Sequence, residues 1–274
     1  MQDRPTRRLG ITQRVTGVMI AVSVMIGASD PAAAGAQSAP RDQPIPPFSA
    51  AYLSTGTLLV DVSRLNPHFE RLDLAVKERP GFFTISNDAY SVGIGAYGTV
   101  MNKLVLGAEW NSADLGEESS PLGKTNRLTT TYWMGTVGYA VFTTWRVNIV
   151  PLVGIGPGTA TLTLKNRDGG ETVPDFQDPT IDEIILSPGR KSTVTGSYII
   201  VQPGLAIDFL MLRQTTNTVG VTLGIRLASA ISPNRTTWTY KGRPVFGGPD
   251  LGPSGGVVRV IAGIGGFRMG SSSR

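Results

Sequence analysis

Seven charged residues, Asp61, Lys103, Glu109, Arg146, Asp208, Arg226 and Arg259, each lie inside a run whose side chains alternate in bulk and polarity with a period of two. That period is the signature of an extended strand, which sends successive side chains to opposite faces. If such strands surround a common interior, charges on their less bulky faces are carried away from water, where they must pair or mark a path for ions. Both signs occur among the seven. Paired ions that plug a narrow interior are the first reading, and a narrow conducting or gated pore is the second.

Nucleophilic chemistry has one starting point. His68 is the only histidine, and Ser63, Glu70 and Asp73 lie near it, so an imidazole could activate a serine or a carboxylate, as in a lipid-modifying enzyme or a protease. A lone histidine in a connecting segment is far more often incidental. Cysteine is absent, which removes thiolate nucleophiles, thiolate metal sites, disulfides and lipid-modified cysteine. The acidic residues Asp168, Glu171, Asp175, Asp178, Asp182 and Glu183 match no defined cation loop and read as a solvated surface. No catalytic residue, metal or cofactor is expected.

Eight runs would position the charges: 50–62, 90–98, 103–110, 129–142, 145–160, 194–210, 219–228 and 257–267. The sharpest sets Val219, Val221, Leu223, Ile225 and Leu227 against Gly220, Thr222, Gly224, Arg226 and Ala228. Residues 90–98 and 103–110 alternate likewise, with Tyr90, Val92, Ile94 and Ala96, then Leu104, Leu106, Ala108 and Trp110, on the bulky face. Residues 129–142 are apolar on both faces, which leaves their orientation open. A soluble eight-stranded barrel would turn the bulky rows inward, yet eight strands enclose a space only just wide enough for side chains. Glycines and a few paired charges fit that space, and the Val, Leu and Ile rows belong against lipid. Brief links at 101–102, 143–144 and 211–218 alternate with long ones at 63–89, 111–128, 161–193 and 229–256. The expected fold is therefore all-β: an eight-stranded antiparallel up-and-down transmembrane β-barrel with short periplasmic turns and long extracellular loops. Orienting the strands in turn puts Asp61, Glu109, Arg226 and Arg259 in the outer half and Lys103, Arg146 and Asp208 in the periplasmic half. Tyr90, Trp110, Trp145 and Phe209 are candidates for the two interfaces.

Two short helices are expected within the long connections. Asn66 and Pro67 would cap and start one, with Phe69, Leu72, Ala75 and Val76 as its apolar stripe and Pro80 and Gly81 at its end. Pro179 followed by Ile181, Asp182, Glu183, Ile184 and Ile185 would form another turn.

The first residues carry Arg4, Arg7, Arg8 and Arg14, then an apolar run over 15–28, then small residues ending at Ala36. This is the order of a secretory signal peptide. Expected boundaries are a signal peptide at 1–36, a flexible mature N-terminus at 37–47, an outer-membrane barrel at 48–269 and a tail at 270–274. Without the leader the formal charge falls from +5 to +3, and no basic stripe with interleaved aromatics is present, so nucleic acid is not an expected partner.

Two stretches resemble a known family. Asn148, Ile149, Val150, Pro151, Leu152, Val153, Gly154, Ile155 and Gly156, and then Gln202, Pro203, Gly204, Leu205, Ala206, Ile207, Asp208 and Phe209, are similar to strands of the OmpA-like outer-membrane protein β-barrel domains of Gram-negative bacteria. Those barrels usually end on an aromatic residue, whereas this chain continues past Phe267 through Arg268 and Met269 to Ser273 and Arg274. The resemblance implies a monomer in the cell outer membrane, with outer-membrane lipid, lipopolysaccharide and the outer-membrane assembly machinery as partners. The expected role is structural or surface-interacting, through the extracellular loops. A narrow channel or transporter for small or apolar solutes is the alternative, and a lipid-modifying enzyme a distant one.

Overall fold

A computed structural model describes residues 48–60, 85, 88–100, 103–119, 123–144, 147–167, 178–211, 219–234 and 236–267. Of the chain's two units, Met1–Gln43 and Pro44–Arg274, these belong to the second. In chain order they form β1 (Phe48–Val60), β2 (Asp88–Val100), β3 (Leu104–Ser119), β4 (Lys124–Tyr139), β5 (Phe142–Thr143), β6 (Val147–Asn166), α1 (Ile181–Leu186), β7 (Lys191–Leu210), β8 (Val219–Ala230), β9 (Thr237–Tyr240), β10 (Arg243–Pro244) and β11 (Pro253–Phe267). Eight strands, β1, β2, β3, β4, β6, β7, β8 and β11, pair antiparallel in that order. The ring closes where β11 pairs with β1, from Phe48↔Phe267 to Val60↔Pro253. The two family-like stretches lie side by side on β6 and β7, with Asn148 opposite Asp208 and Gly154 opposite Gln202.

Strand length is uneven around the ring. β6 and β7 each have 20 residues, whereas β1 has 13 and β8 has 12. A barrel strand needs only about 9–11 residues to cross a bilayer. The surplus stands at the end away from the tight turns, and there the polarity of the wall reverses. On β6 the outward residues are first Pro151, Val153, Ile155 and Pro157, then Thr159, Thr161, Thr163 and Lys165, while the inward ones change from Asn148 and Gly154 to Ala160, Leu162 and Leu164. β7 makes the same change above Ile199, through Ser197, Thr195, Thr193 and Lys191, with Val194, Tyr198 and Ile200 buried inside. On β3 and β4 the boundary is marked by Trp110 and Trp133, registered partners with ring centroids 6.4 Å apart. Below this level the barrel is apolar outside and keeps its buried charges inside, beside a small apolar layer, as a membrane barrel does. Above it the wall has the polarity of a soluble barrel.

This reversal corrects two expected connections. Most of 111–128 and the two ends of 161–193 are ladder, because β3 and β4 stay paired as far as Ser119↔Thr125 and β6 and β7 as far as Lys165↔Lys191. Thr-x-Thr alternation with an apolar inner face is still a strand, but it lacks the bulky outward row by which the membrane segment is recognised. The link after β4 is also more structured than expected, since β5 pairs Phe142 with Ile149 and Thr143 with Asn148.

The tall end is covered from inside. The turn expected after Pro179 is α1, whose capping box joins Thr180 and Glu183 and whose Ile181, Ile184 and Ile185 are buried. β9 joins β7 above the level at which β8 leaves it, with Val194 opposite Tyr240. It turns into β10 through Lys241 and Gly242, both at positive φ, which is the two-residue hairpin geometry that suits strand twist. The backbone around Phe246 ties the hairpin to α1, with N–H donors from Ile181 and Phe246 each 3.0 Å from the other segment's carbonyl oxygen. The leader, residues 37–47, the helix expected from Asn66 to Gly81 and the tail after Phe267 lie outside the described residues.

Candidate functional site

The inward side chains stack in three layers. Nearest the tight turns is a small apolar layer that includes Val105, Ala140, Val150, Ala206 and Ile261. At the tall end a larger one joins Leu58, Leu128, Leu162, Leu164, Val194 and Ile200 from the wall to the buried isoleucines of α1 and to Trp238 and Tyr240 of β9. Between them lies a layer of ions and tyrosines.

Arg259 is the centre of one half of that layer. Its Nη1 donates to Glu109 Oε1 at 3.0 Å and to Asn111 Oδ1 at 2.7 Å, and its Nη2 donates to the Tyr132 hydroxyl at 2.6 Å and to Gln202 Oε1 at 3.2 Å. Glu109 also accepts from Asn111 Nδ2 at 3.1 Å and, through Oε2, from the Tyr52 hydroxyl at 2.9 Å. In the other half Arg226 Nη1 donates to Asp208 Oδ1 at 2.8 Å, and the Tyr97 hydroxyl donates to Oδ2 at 2.6 Å. The Arg226 guanidinium lies 5.3 Å from the Tyr97 ring centroid and 5.6 Å from that of Tyr52, within cation–π range. Arg226 and Arg259 are registered partners across β8 and β11. Like charges so placed repel, and each is turned to its own carboxylate, which leaves the four charges balanced.

Glycines make the space. A Cβ on Gly95 would stand 2.5 Å from the Tyr52 hydroxyl, one on Gly93 2.2 Å from Asn111 Oδ1, and one on Gly224 2.4 Å from Asp208 Oδ1. Gly95→Val is therefore expected to push Tyr52 off Glu109 and to cost about 1–3 kcal/mol, which a lowered urea midpoint of the detergent-folded barrel would report. An unchanged midpoint would show that the layer repacks freely. Among the described residues, a cavity of about 30 Å³ is bordered by Tyr52, Glu109, Asp208, Arg226 and Arg259. That holds about a water molecule or two, not a continuous file of them.

Four of the seven charges expected inside, Glu109, Asp208, Arg226 and Arg259, are brought together. Asp208, opposite Gly224, stands two residues nearer the tight turn than Arg226, opposite Ala206, and the pair forms between these successive inward rungs. Lys103 is not in the layer. It is exposed just before β3, where Lys103 Nζ lies 5.7 Å from the Tyr139 ring centroid. Asp61 and Arg146 lie outside the described residues, as do His68, Ser63, Glu70, Asp73, Asp168, Glu171, Asp175 and Trp145. Sequence reasoning missed Tyr52, Tyr97, Asn111, Tyr132 and Gln202 as members of the network. Asn111 follows Glu109 by two residues and so shares its face, which was an available signal.

Among the described residues, no group of three or more acidic or histidine side chains is placed to hold a metal. The outward face below the tryptophans exposes Leu53, Ile94, Leu106, Val137, Val153, Ile155, Phe209, Ile225, Leu227, Val260 and Ile264. A continuous apolar belt of this kind on a closed barrel suits hydrocarbon and not water.

No known family model matches the chain, and neither does a curated protein. Among solved structures it is similar to Ail, the attachment invasion locus protein of Yersinia pestis, in a complex with the heparin analogue sucrose octasulfate, at 6% identity and a TM-score of 0.43 over 81% of this chain and 99% of that one. It is also similar to Neisserial surface protein A, at 11% identity and 0.35 over 81% and 97%, and to the outer membrane protease OmpT from Escherichia coli, at 8% and 0.33 over 82% and 97%. At such values the fold rests on the closed ladder itself and the function on the geometry of its interior and wall.

Proposed function

We propose that the protein is a closed, non-conducting and non-enzymatic outer-membrane barrel that serves as a rigid post, presenting its tall wall and connecting segments outside the cell as an interaction surface. The observation that carries this reading is the packed interior among the described residues: an ionic layer held between two apolar layers, beside a cavity of about 30 Å³. Ions that satisfy one another at 2.8–3.0 Å act as packing, whereas a pathway needs groups free to exchange partners with a passing ion. The apolar belt supports the membrane setting, and the direction of the barrel follows the rule that tight turns face the periplasm. Kinship with OmpA-like barrel domains rests on the two strand stretches of β6 and β7.

The test is conductance. The chain folded into planar lipid bilayers is expected to give no steady open level, and Asp208→Ala, which frees Arg226, is expected to add only brief openings. A stable conductance from the unaltered chain, lost on replacing Arg226 or Arg259, would make the ionic layer a gate and establish the channel reading instead.

A further inference from the structure

On the outer face of the tall end, a wall of hydroxyls on β6 and β7 gives way at its top to lysine. Lys165 and Lys191 are exposed registered partners across that ladder. Lys241 is exposed at the adjoining hairpin turn, next to Tyr240, which pairs with Val194. Like charges directly opposite in a ladder repel and destabilise it. Lys165 has a carboxylate within reach, Glu117 at 3.4 Å, but the pair is exposed and so contributes little. Among the described residues Lys191 has no ion-pair partner. No carboxylate stands among the outward residues of β6, β7 and β9 above the tryptophans. The ladder gains nothing from this lysine pair, since threonine, as in the rungs below, would continue the wall.

Beside the lysines is an apolar handle. Pro244 pairs with Thr239, and Thr239 with Thr195, so Pro244 extends the outer wall by one strand. Phe246 lies two residues further on, its backbone held to Pro179 and Ile181 and its side chain 56% exposed. The stagger of the ring lifts it clear of the apolar belt. One circuit of registered pairs from Thr195 through β6, β4, β3, β2, β1, β11 and β8 returns to β7 at Leu205, nearer the tight turns. In the opposite sense, through β9 to β10, each rung therefore rises.

We propose that this face binds an extended acidic segment of a protein outside the cell, with carboxylates on Lys165, Lys191 and Lys241 and an apolar side chain against Phe246 and Pro244. Strand spacings put Phe246 about 14 Å from Lys241 and about 22 Å from Lys191. The segment would therefore carry its apolar residue about four to six positions beyond its acidic ones. Membrane phosphates do not account for the lysines. Lys165 and Lys191 stand eight residues above Pro157 and Ile199, the rung next to Tyr132↔Gly158 at the tryptophan level. On a strand tilted as in such barrels that is about 20 Å, more than two Debye lengths at physiological salt. A sulfated sugar would use the lysines and leave Phe246 idle. This deepens, and rests on, the reading of the tall wall as the interaction surface of a closed barrel.

The test uses the chain in phosphatidylcholine nanodiscs and the fluorescence anisotropy of three labelled probes. These are a peptide of three glutamates, three glycines and a phenylalanine, the same peptide ending in glycine, and a trisulfated disaccharide of equal charge. The phenylalanine peptide is expected to bind about fivefold or more tighter than either of the others, the scale of one partly buried ring. Phe246→Ser should remove the difference between the peptides. Lys191→Glu combined with Lys241→Glu should weaken the phenylalanine peptide about tenfold or more, the loss of two charge contacts. Lys191→Glu alone should raise the urea midpoint of the barrel, because it ends the repulsion with Lys165. Equal binding of the two peptides, a disaccharide that binds as tightly as the phenylalanine peptide, or a midpoint lowered by Lys191→Glu overturns the proposal. So does peptide binding that appears only once Asp168, Glu171 and Asp175 are neutralised, which would make the chain's own acidic sequence the occupant. A stable conductance from the unaltered chain would overturn the closed-barrel reading whatever the peptides do, whereas a silent barrel that fails the peptide comparison overturns this inference alone.

Discussion

Glu109→Ala is expected to lower the stability of the folded barrel by about 3–5 kcal/mol, the cost of stranding a buried charge. The reason lies in Arg259, which is 2% exposed and cannot turn to water. Removing Glu109 takes away the carboxylate that accepts from Arg259, Asn111 and Tyr52 together, leaving a guanidinium balanced only by neutral oxygens of Asn111, Tyr132 and Gln202. The measurement is the urea midpoint of the barrel in detergent micelles, followed by the heat-modifiable band on an SDS gel. The double variant Glu109→Leu, Arg259→Met is the control, because replacing both partners with apolar groups leaves no uncompensated charge, and it should recover most of the loss. If the double variant is as unstable as the sum of its parts, the pair is not a coupled unit and the layered interior is misread.

An equally large contrast is expected between two positions on one face of one strand. Val153 and Thr163 both point outward from β6, ten residues apart, but Val153 lies in the apolar belt and Thr163 in the hydroxyl wall. Val153→Arg should cost about 2–4 kcal/mol, the range found for arginine near the bilayer midplane. Thr163→Arg should be near neutral, as for an ordinary exposed substitution. Refolding yield and urea midpoints in liposomes read both directly. Equal costs at the two sites would mean that the whole strand lies in one medium, and the boundary drawn at Trp110 and Trp133 would fall.

The second contrast bears on what can be seen in the chain alone. Strand character was legible wherever large apolar residues alternate with small ones, as over 219–228, and there the inward and outward assignments agree with the structure. It was missed where the outward residues are threonine and lysine, over 161–166 and 191–193, because the inference was tuned to a lipid-facing row and those segments face water. The turn at α1 was legible from Pro179 and the isoleucines that follow, since a short helix with buried residues on one side announces itself within a few positions. That the same helix shares the core of the barrel's tall end was not legible, because Leu162, Val194 and Trp238 of that core come from three separate strands.

The same division runs through the interior. Period-two alternation, a purely local property, determined by itself that Glu109, Asp208, Arg226 and Arg259 share the inward parity of their strands, and that glycines alternate with them. Which of these charges meet was decided only by closure. Arg259 finds Glu109 across 150 positions of sequence, and Arg226 finds Asp208 two rungs along an adjacent ladder. Those heights depend on the stagger accumulated around all eight strands before β11 joins β1, a global quantity that no single strand encodes. A slip of one residue at any ladder would turn that strand's inward set to the outside. Local alternation therefore sets the face on which a side chain lies, and the shared register of the closed ring sets the side chains it meets there.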